Sequence, residues 1–441
     1  MNLKEHFTCA KIFVFALPNI GTMLAITSFQ MIDGYFAANF LGVNAFAAIN
    51  LVFPLIMVFS APGFMIGSGG NAIISKTKGE GRLEQARKYF TMLIFVLFAD
   101  GIICGVLMWL FLPEILVLIG ASDELLPYAL EFGRILFFFL PCVLTSTAFQ
   151  SLWLAAGKPE LGFRLSLLEG VIIVVLDWLL IVQMNFGIDG AALATALAMT
   201  TFTIITLRYF LRPNSSGMHF TRFNFDLEKV IFICYNGISE MADAISVNIV
   251  ELFMNLRLMK LFGEVGVAAF GVFSYVNEVF LSIFFALSTA TVTLVGFNYG
   301  RRNFSEIKSL TKRFSAMTIT FGVLMTACAT IFSEEIAKIY VGYDENACKM
   351  TITVLKTCSL MFLLYGFNLF VSAFFTGMEK STLSAIIAFM QSLIMPIFFI
   401  LLLPELFDAN SIWFSTFFAT LMTTILALRL LLKHFRRKKL A

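Results

Sequence analysis

The chain has 441 residues, 59% of them apolar and 13% charged, with a net charge of +3 and a mean hydropathy of +0.89. Soluble domains carry roughly 25% charged residues, so water is excluded as the main solvent and the chain reads as an integral membrane protein. Seven scattered cysteines, without CxxC spacing or a cluster, exclude a disulfide framework and a thiolate metal site.

The first ten residues are charged and polar and run into an apolar segment without a small-residue cleavage site, the pattern of an uncleaved first helix. A helix needs about 20 apolar residues to cross hydrocarbon. That ruler places twelve spans at roughly 11–41, 44–75, 89–112, 125–156, 160–184, 187–211, 228–262, 265–298, 310–333, 347–377, 382–404 and 409–432. Several exceed thirty residues and must tilt or bend. Pro18, Pro54, Pro62 and Pro141 lie inside them, where each removes a backbone donor, so bent helices are expected. GSGGN at 67–71 resembles a phosphate loop only weakly, because no Lys-Ser pair follows it and no strand precedes it. Close helix packing is the expected role.

The chain also repeats. A shift of 221 positions lays Gly42, Ala47, Ala48, Gly79, Phe186, Thr195 and Ala198 on Gly263, Ala268, Ala269, Gly300, Phe407, Thr416 and Ala419, and a shift of 220 lays Gly157 on Gly377. The expected architecture is all-α: two six-helix lobes related by an internal pseudo-twofold repeat, with residues 1–212 in the first lobe and 227–441 in the second. The polar stretch 213–226, opening Pro213, Asn214, Ser215, Ser216 and Gly217, is the expected cytoplasmic linker. Duplication in a membrane chain points to a transporter whose halves rock about a central cavity.

Orientation is read from Lys and Arg. Lys4, Lys11, the clusters around Lys76–Lys88, Lys158–Arg164, Arg208–Lys229, Arg301–Arg313 and Lys380, and the tail to Lys439 place 25 of the 31 basic residues on one side. The opposite connections are acidic or neutral. Both termini are therefore expected in the cytoplasm of a multi-pass plasma-membrane protein, with the RRKK tail an orientation anchor and no nucleic-acid partner.

A charge at the bilayer centre costs about 2.5–3.5 kcal/mol even on the lenient insertion scale, so ionisable residues inside spans need a reason. Asp33 lies in the first span with Gln30 one turn before it. Asp177 lies in the fifth, with Glu169 two turns before it on about the same face. A carboxyl removed from water can hold and release a proton, and it can equally bind sodium. A structural interhelical bond is the alternative for both. Span seven carries Glu240, Asp243 and Glu251, which project at about 0°, −60° and 20° at roughly 100° per residue, with Asn236 and Asn255 near the same stripe. This face is expected to line a substrate cavity, or else to pair structurally, Arg257 being one available partner. Glu278 and Asp100 are weaker candidates, and Lys356 is placed to snorkel. The histidines, His6, His219 and His434, all lie outside the spans, so a proton relay must use carboxylates. Most of the 52 Phe and 21 Met face lipid or pack, and the remainder suit a deformable cavity for amphiphilic cations.

The stretch FQMIDGYFAANFLGVNAFAAINLVFP, then GSGGNAIISKTKGEG, WLAAGKPELGFRLSL, VVLDWLLI and FGIDGAALAT, with GISE, GVAAFGVFSYVNE and FNYGRRN in the second half, resembles the multidrug and toxic compound extrusion (MATE) family, in particular its MepA-like branch. The resemblance covers nearly the whole chain. It implies a two-lobed, V-shaped twelve-helix fold that exports organic cations or other amphiphiles in exchange for protons or sodium. It also implies that Asp33, Asp177, Ala191 and Thr195 match a first-lobe cation site, with sodium at Asp33, Asp177 and Thr195 one option. Two positions depart from the pattern: Ile173 stands where relatives carry Asn, and Trp178 where they carry Pro. The missing side-chain oxygen shifts weight towards a proton, or towards a site completed by Glu169 or water. The shift of 221 carries Asp33 to Met254 and Asp177 to Phe398, so no copy of the pair is expected in the second half.

The expected function is secondary active efflux by a monomer without organic cofactor and without enzymatic activity. One charge moving down about 100 mV supplies about 2.3 kcal/mol, enough for roughly a 45-fold gradient. A major-facilitator carrier is disfavoured because the loop between spans two and three reads GEGRLEQARK, without the basic signature. A flippase for lipid-linked saccharides would need cationic cavity residues. An intramembrane enzyme would need a converging nucleophile or metal-ligand set.

Overall fold

The computed structural model describes residues 5–342 and 344–439, without the side chains of Val43 and residues 437–439. Lys4 and the side chains of Arg437, Lys438 and Lys439, counted above for orientation, lie outside the described residues. Hydrocarbon offers no partner to a backbone N–H or C=O, so a spanning segment must satisfy its own. All regular elements among the described residues are accordingly helical: α1 (Cys9–Phe40), α2 (Val43–Gly79), α3 (Leu83–Leu118), α4 (Leu126–Phe138), α5 (Leu140–Ala155), α6 (Pro159–Leu176), α7 (Gly187–Phe210), α8 (Leu227–Gly300), α9 (Phe304–Ile331), α10 (Ser333–Val341), α11 (Glu345–Cys358), α12 (Phe362–Gly377), α13 (Ser381–Phe389), α14 (Met395–Leu406) and α15 (Ser415–Lys439). A π-helical turn, Asp177–Gln183, extends α6, and another, Met390–Ile394, joins α13 to α14.

Among the described residues ten helical stretches are long and apolar enough to cross a membrane, and α4 with α5, bent by 63°, make an eleventh. The 74-residue α8 counts twice, because Gly263 leaves helical geometry at φ 64°, ψ −153°. Twelve spans result. Its counterpart Gly42 has φ 81°, ψ 168° ahead of α2. Both glycines adopt a conformation costly for residues with a Cβ, and both reverse the chain between consecutive spans, so the repeat seen in sequence is a repeat of turn geometry.

The bend expected at Pro141 falls one residue ahead of α5, and the second half breaks at the matching place, where the 3₁₀ turn Ser359–Met361 separates α11 from α12. Pro18, Pro54 and Pro62, by contrast, remain inside the uninterrupted α1 and α2. Thr22 Oγ1 donates to the carbonyl of Pro18 itself at 3.0 Å, a side-chain back-bond one turn on. The register at the span-four turn needs correction. Positive φ occurs at Gly157 (76°) and at Glu379 (55°), not at Gly377, which still belongs to α12. Lys158 N bonds to Trp153 O and Lys380 N to Phe375 O, the same pattern at a shift of 222. One residue has been gained in the second half.

Residues 14–237 form one compact unit, and residues 5–13 with 238–342 and 344–439 form another. Between helices in lipid the hydrophobic effect is weak, and close backbone approach replaces it. In the first unit Gly63 and Gly67 of α2 lie against α5: a Cβ on either would stand 2.8 Å from Leu144 O or Ala148 O. Gly69 and Gly70, within the GSGGN stretch, press on the backbone at Ile233 and on the side chain of Leu93, so the stretch is a packing element. Phe90, Phe149, Trp153 and Phe210 stack at one end, Phe90 and Phe210 at 4.7 Å between centroids. The 213–226 stretch packs there too: Phe220 stacks on Phe90 at 5.7 Å, Met218 is buried, and Arg87 Nε donates to Gly217 O at 2.8 Å.

The second unit repeats the crossing of its third and fourth spans. Gly101 meets Pro141 in the first unit, and Gly322 meets Phe362, 221 positions on in both partners. This unit also holds the start of the chain. Phe7 is buried, its N–H donates to Glu306 Oε1 at 3.0 Å, His6 Nδ1 lies 2.6 Å from Glu306 Oε2, and Arg313 donates to Phe7 O. Arg313 also reaches His6 Nε2 at 2.8 Å. A guanidinium has no acceptor, so Nε2 accepts and Nδ1 carries the ring proton donated to Glu306.

The Gly101 and Gly322 crossings make a direct test of this packing. Gly101→Val and Gly322→Val are each expected to lose about 1–3 kcal/mol through overpacking, seen as a lower Tm in detergent. Gly271→Ala, whose Cβ would meet nothing within 4 Å, is expected to stay within about 0.5 kcal/mol.

Candidate functional site

The first unit encloses a cavity of about 150 Å³ walled by α1, α2, α4, α5, α6 and α7. Four of the residues singled out for cation coupling, Gln30, Asp33, Glu169 and Thr195, line it, and its lining contains two carboxylates and no Lys, Arg or His. α1 and α6 can meet beside it because Gly170 has no side chain: the Phe29 ring occupies the place where a Cβ would stand. Glu169, next along α6, is 7% exposed and accepts from Ser146 Oγ at 3.2 Å. Ser146 is delivered by α5 after the span-four bend.

Asp177 opens the π-helical turn, fully buried, with no donor bonded to either carboxyl oxygen. Its side chain approaches that of Asp33. Two ionised carboxylates only accept, so no bond joins them, whereas a single proton placed between them makes the pair a hydrogen bond. Thr195 contributes a hydroxyl to the cavity wall. Ala191, one turn earlier on α7, is buried and contributes no side-chain oxygen. Ile173 lies in the wall as well, an apolar surface where an amide would supply an oxygen. The arrangement can hold a proton, or present acid oxygens to a monovalent cation.

The second unit carries a neutral counterpart that the shift of 221 concealed. At a shift of 222, Ser146 falls on Asn368 and Glu169 on Gln391. Asn368 Nδ2 donates to Gln391 Oε1 at 2.6 Å and to Thr420 O at 3.1 Å, and Gln391 Nε2 donates to Thr420 Oγ1 at 3.3 Å. Asn and Gln at the aligned positions were the available signal, and a one-residue register error hid it.

The span-seven residues do not form one group. Asn236 is fully buried and belongs to the first unit. In the second unit Glu240 and Asp243 stand near each other and Tyr365, Asp243 also reaching Ser392, while Asp243 Oδ1 has no partner. Glu251 lies beside Ser274 and Glu278, and Asn255 is half-buried one turn on. Arg257, weighed above as a partner for these acids, pairs with Glu405 instead. It sits about two to five turns beyond them on α8, within reach of the last turn of α14.

The repeat, the twelve spans and the acid-lined cavity can be set beside known proteins. The MatE family model matches residues 18–179 and again 241–402, one match in each half. Multidrug export protein MepA of Staphylococcus haemolyticus is 25% identical over 94% of this chain and 91% of its own length. Probable multidrug resistance protein YoeA of Bacillus subtilis is 23% identical over 72% of this chain and 70% of its own. A crystal structure of MATE in complex with MaL6 superposes with a TM-score of 0.93 at 20% identity, covering 99% of this chain and 98% of that one. A MOP superfamily transporter from Pyrococcus furiosus, described as having a binding pocket of reverse polarity that suggests a different function, gives 0.88 at 21% identity, covering 96% and 95%. With two matched segments covering most of the chain and one fold throughout, the protein belongs to the MatE family of multi-pass membrane transporters, which are not enzymes.

Proposed function

We infer that this transporter is a secondary active exporter that moves amphiphilic organic cations out of the cell by alternating access, in exchange for protons. The carrying observation is the sign of the cavity. Its lining holds Asp33 and Glu169 and no basic side chain, a field that attracts cations and repels anions. Multidrug export, which the names of the MepA and YoeA relatives state for those proteins, supports the same reading. A flippase of anionic lipid-linked saccharides is disfavoured by the same charge.

Asp33, Asp177 and Glu169 are the proposed proton carriers, with Thr195 and Gln30 as polar partners. Proton coupling is preferred to sodium because Ile173 presents methyl groups where a hard cation would want another oxygen, and because one proton placed between the neighbouring Asp33 and Asp177 carboxyls would join them by a hydrogen bond. Glu240 and Asp243 are proposed to favour cationic substrate in the second unit. Both termini are proposed to lie in the cytoplasm, a reading supported by the distribution of Lys and Arg.

Reconstituted protein is expected to drive ethidium flux under an imposed pH gradient and not under a sodium gradient. Asp33→Asn and Asp177→Asn are each expected to lower that flux at least tenfold. Flux driven by sodium alone, or undiminished in both variants, overturns the reading. Gly170→Leu, which must displace Phe29 from the cavity wall, is expected to weaken ethidium binding at least tenfold by fluorescence titration. Gly34→Ala, whose Cβ would meet nothing within 4 Å, is expected to leave it within twofold.

A further inference from the structure

A second, much smaller cavity lies in the first unit, about 10 Å³ in volume, walled by Asn19 and Thr22 of α1, Gln150 and Trp153 of α5, Pro159, Gly162 and Ser166 of α6, and the apolar side chains Phe149, Leu154 and Phe202. About 10–15 Å³ accommodates one water molecule, provided that polar partners surround it. They do here. Trp153 is 2% exposed, and its Nε1–H has no acceptor in the protein, a donor that normally finds a partner when buried. The indole is packed on Gly162, where a Cβ would stand 3.0 Å from Cδ1, the carbon next to that nitrogen.

Two residues, Gln150 and Ser166, line both this cavity and the larger one that contains Asp33 and Glu169. Ser166 lies three residues before Glu169 on α6, so the two project from neighbouring turns of the same face. At its far end the small cavity reaches Pro159, the first residue of α6, immediately after the Gly157 turn that closes span four. The two cavities are therefore neighbours, joined at Gln150 and Ser166, and the smaller one extends their polar lining to the first residue of α6 between the apolar Phe149, Leu154 and Phe202.

We propose that Trp153 holds a buried water which, with Ser166, Gln150, Asn19 and Thr22, forms a hydrated thread linking the carboxylate cavity to the Gly157–Pro159 turn, and that protons leave the carboxylates along it. Trp153 and Ser166 are positioning residues: they order the water and carry no charge. The Ser166 hydroxyl and the water can each accept one hydrogen bond and donate another, so a proton passes between them by successive exchange without a permanent ion, while Thr22, whose hydroxyl donates to Pro18 O, and the Gln150 and Asn19 amides orient the water without relaying. The indole supplies only a donor, which fixes the water's oxygen and turns its two hydrogens towards the acceptors, Ser166 Oγ among them. The proposal rests on the proton-coupled reading above, and its test separates the two.

The probes are X-ray hydroxyl-radical footprinting in H₂¹⁸O, which labels side chains beside bound water, and ethidium flux in proteoliposomes under a pH gradient. Wild-type protein is expected to show labelling at Trp153 despite its burial. Ser166→Ala and Thr22→Val are expected to reduce that labelling at least threefold. Trp153→Phe, at a position outside the larger cavity, is expected to lower pH-driven flux at least fivefold with ethidium Kd within twofold of wild type, and Ser166→Ala to lower the same flux at least fivefold. A merely structural indole would change binding and Tm along with flux. Should Trp153→Phe not fold, Ser166→Ala and Thr22→Val carry the test. Absence of labelling at Trp153 in the wild type overturns the water. Full pH-driven flux in folded Trp153→Phe and Ser166→Ala overturns the thread and leaves coupling intact. Wild-type protein with no pH-driven flux overturns coupling, and with it the thread's role, while the labelling still decides whether the water is there.

Discussion

Water's absence from the bilayer core governs this protein more than any single contact. A backbone that cannot borrow hydrogen bonds from solvent must close its own ladder, and wherever the ladder opens the freed groups need another partner. The openings are few and placed: Gly42 and Gly263 at tight reversals, the bend ahead of α5 with its counterpart ahead of α12, and the π-helical turns beginning at Asp177 and Met390. Asp177 at the head of such a turn is telling, since π-helical turns occur frequently at functional sites. The same shortage of solvent gives Asp33, Asp177 and Glu169 their meaning, because no soluble protein would pay attention to three carboxyls that water could satisfy.

The duplicated halves show how a symmetric scaffold acquires an asymmetric chemistry. The Gly101 and Gly322 crossings are the same joint used twice, yet the polar pair that follows has diverged by the smallest means available. Ser146 with Glu169 in one half becomes Asn368 with Gln391 in the other. Replacing a carboxyl oxygen with an amide nitrogen removes the capacity to ionise while retaining the capacity to bond, and the second half uses it to tie Asn368, Gln391 and Thr420 into one buried network. Ionisable character persists elsewhere in that half, at Glu240 and Asp243, on a different helix.

Much of the fold was legible from hydropathy and glycine alone, because span length and tight reversals are local properties. The twelve spans and the pairing of Gly42 with Gly263 needed no tertiary information. The span-four register was misread because Gly157 was matched to Gly377 by residue type, whereas the conformation of Gly157 recurs at Glu379. α10 was missed since nine amphipathic residues are too few to register against a twenty-residue ruler. At the site, Asp33 and Asp177 announced themselves as charges in apolar segments. Ser146, Gln150, Ser166 and Trp153 did not, for hydroxyls, amides and indoles are unremarkable inside helices, and only their convergence distinguishes them. Arg257 was paired with acids of its own helix, whereas its partner Glu405 lies 148 positions away.

The docking of residues 5–13 has a consequence for how the molecule comes into being. Glu306 follows its partner His6 by 300 positions, so the strap of residues 5–13 is synthesised well before its anchor. At roughly 5–20 residues per second, the strap must wait on the order of 15–60 seconds for its anchor while most of the spans are inserted around it. Phe7 lacks its burial site throughout that interval. Residues 5–13 thus reach their place only after α9, and their docking reports that α9 has been made and positioned.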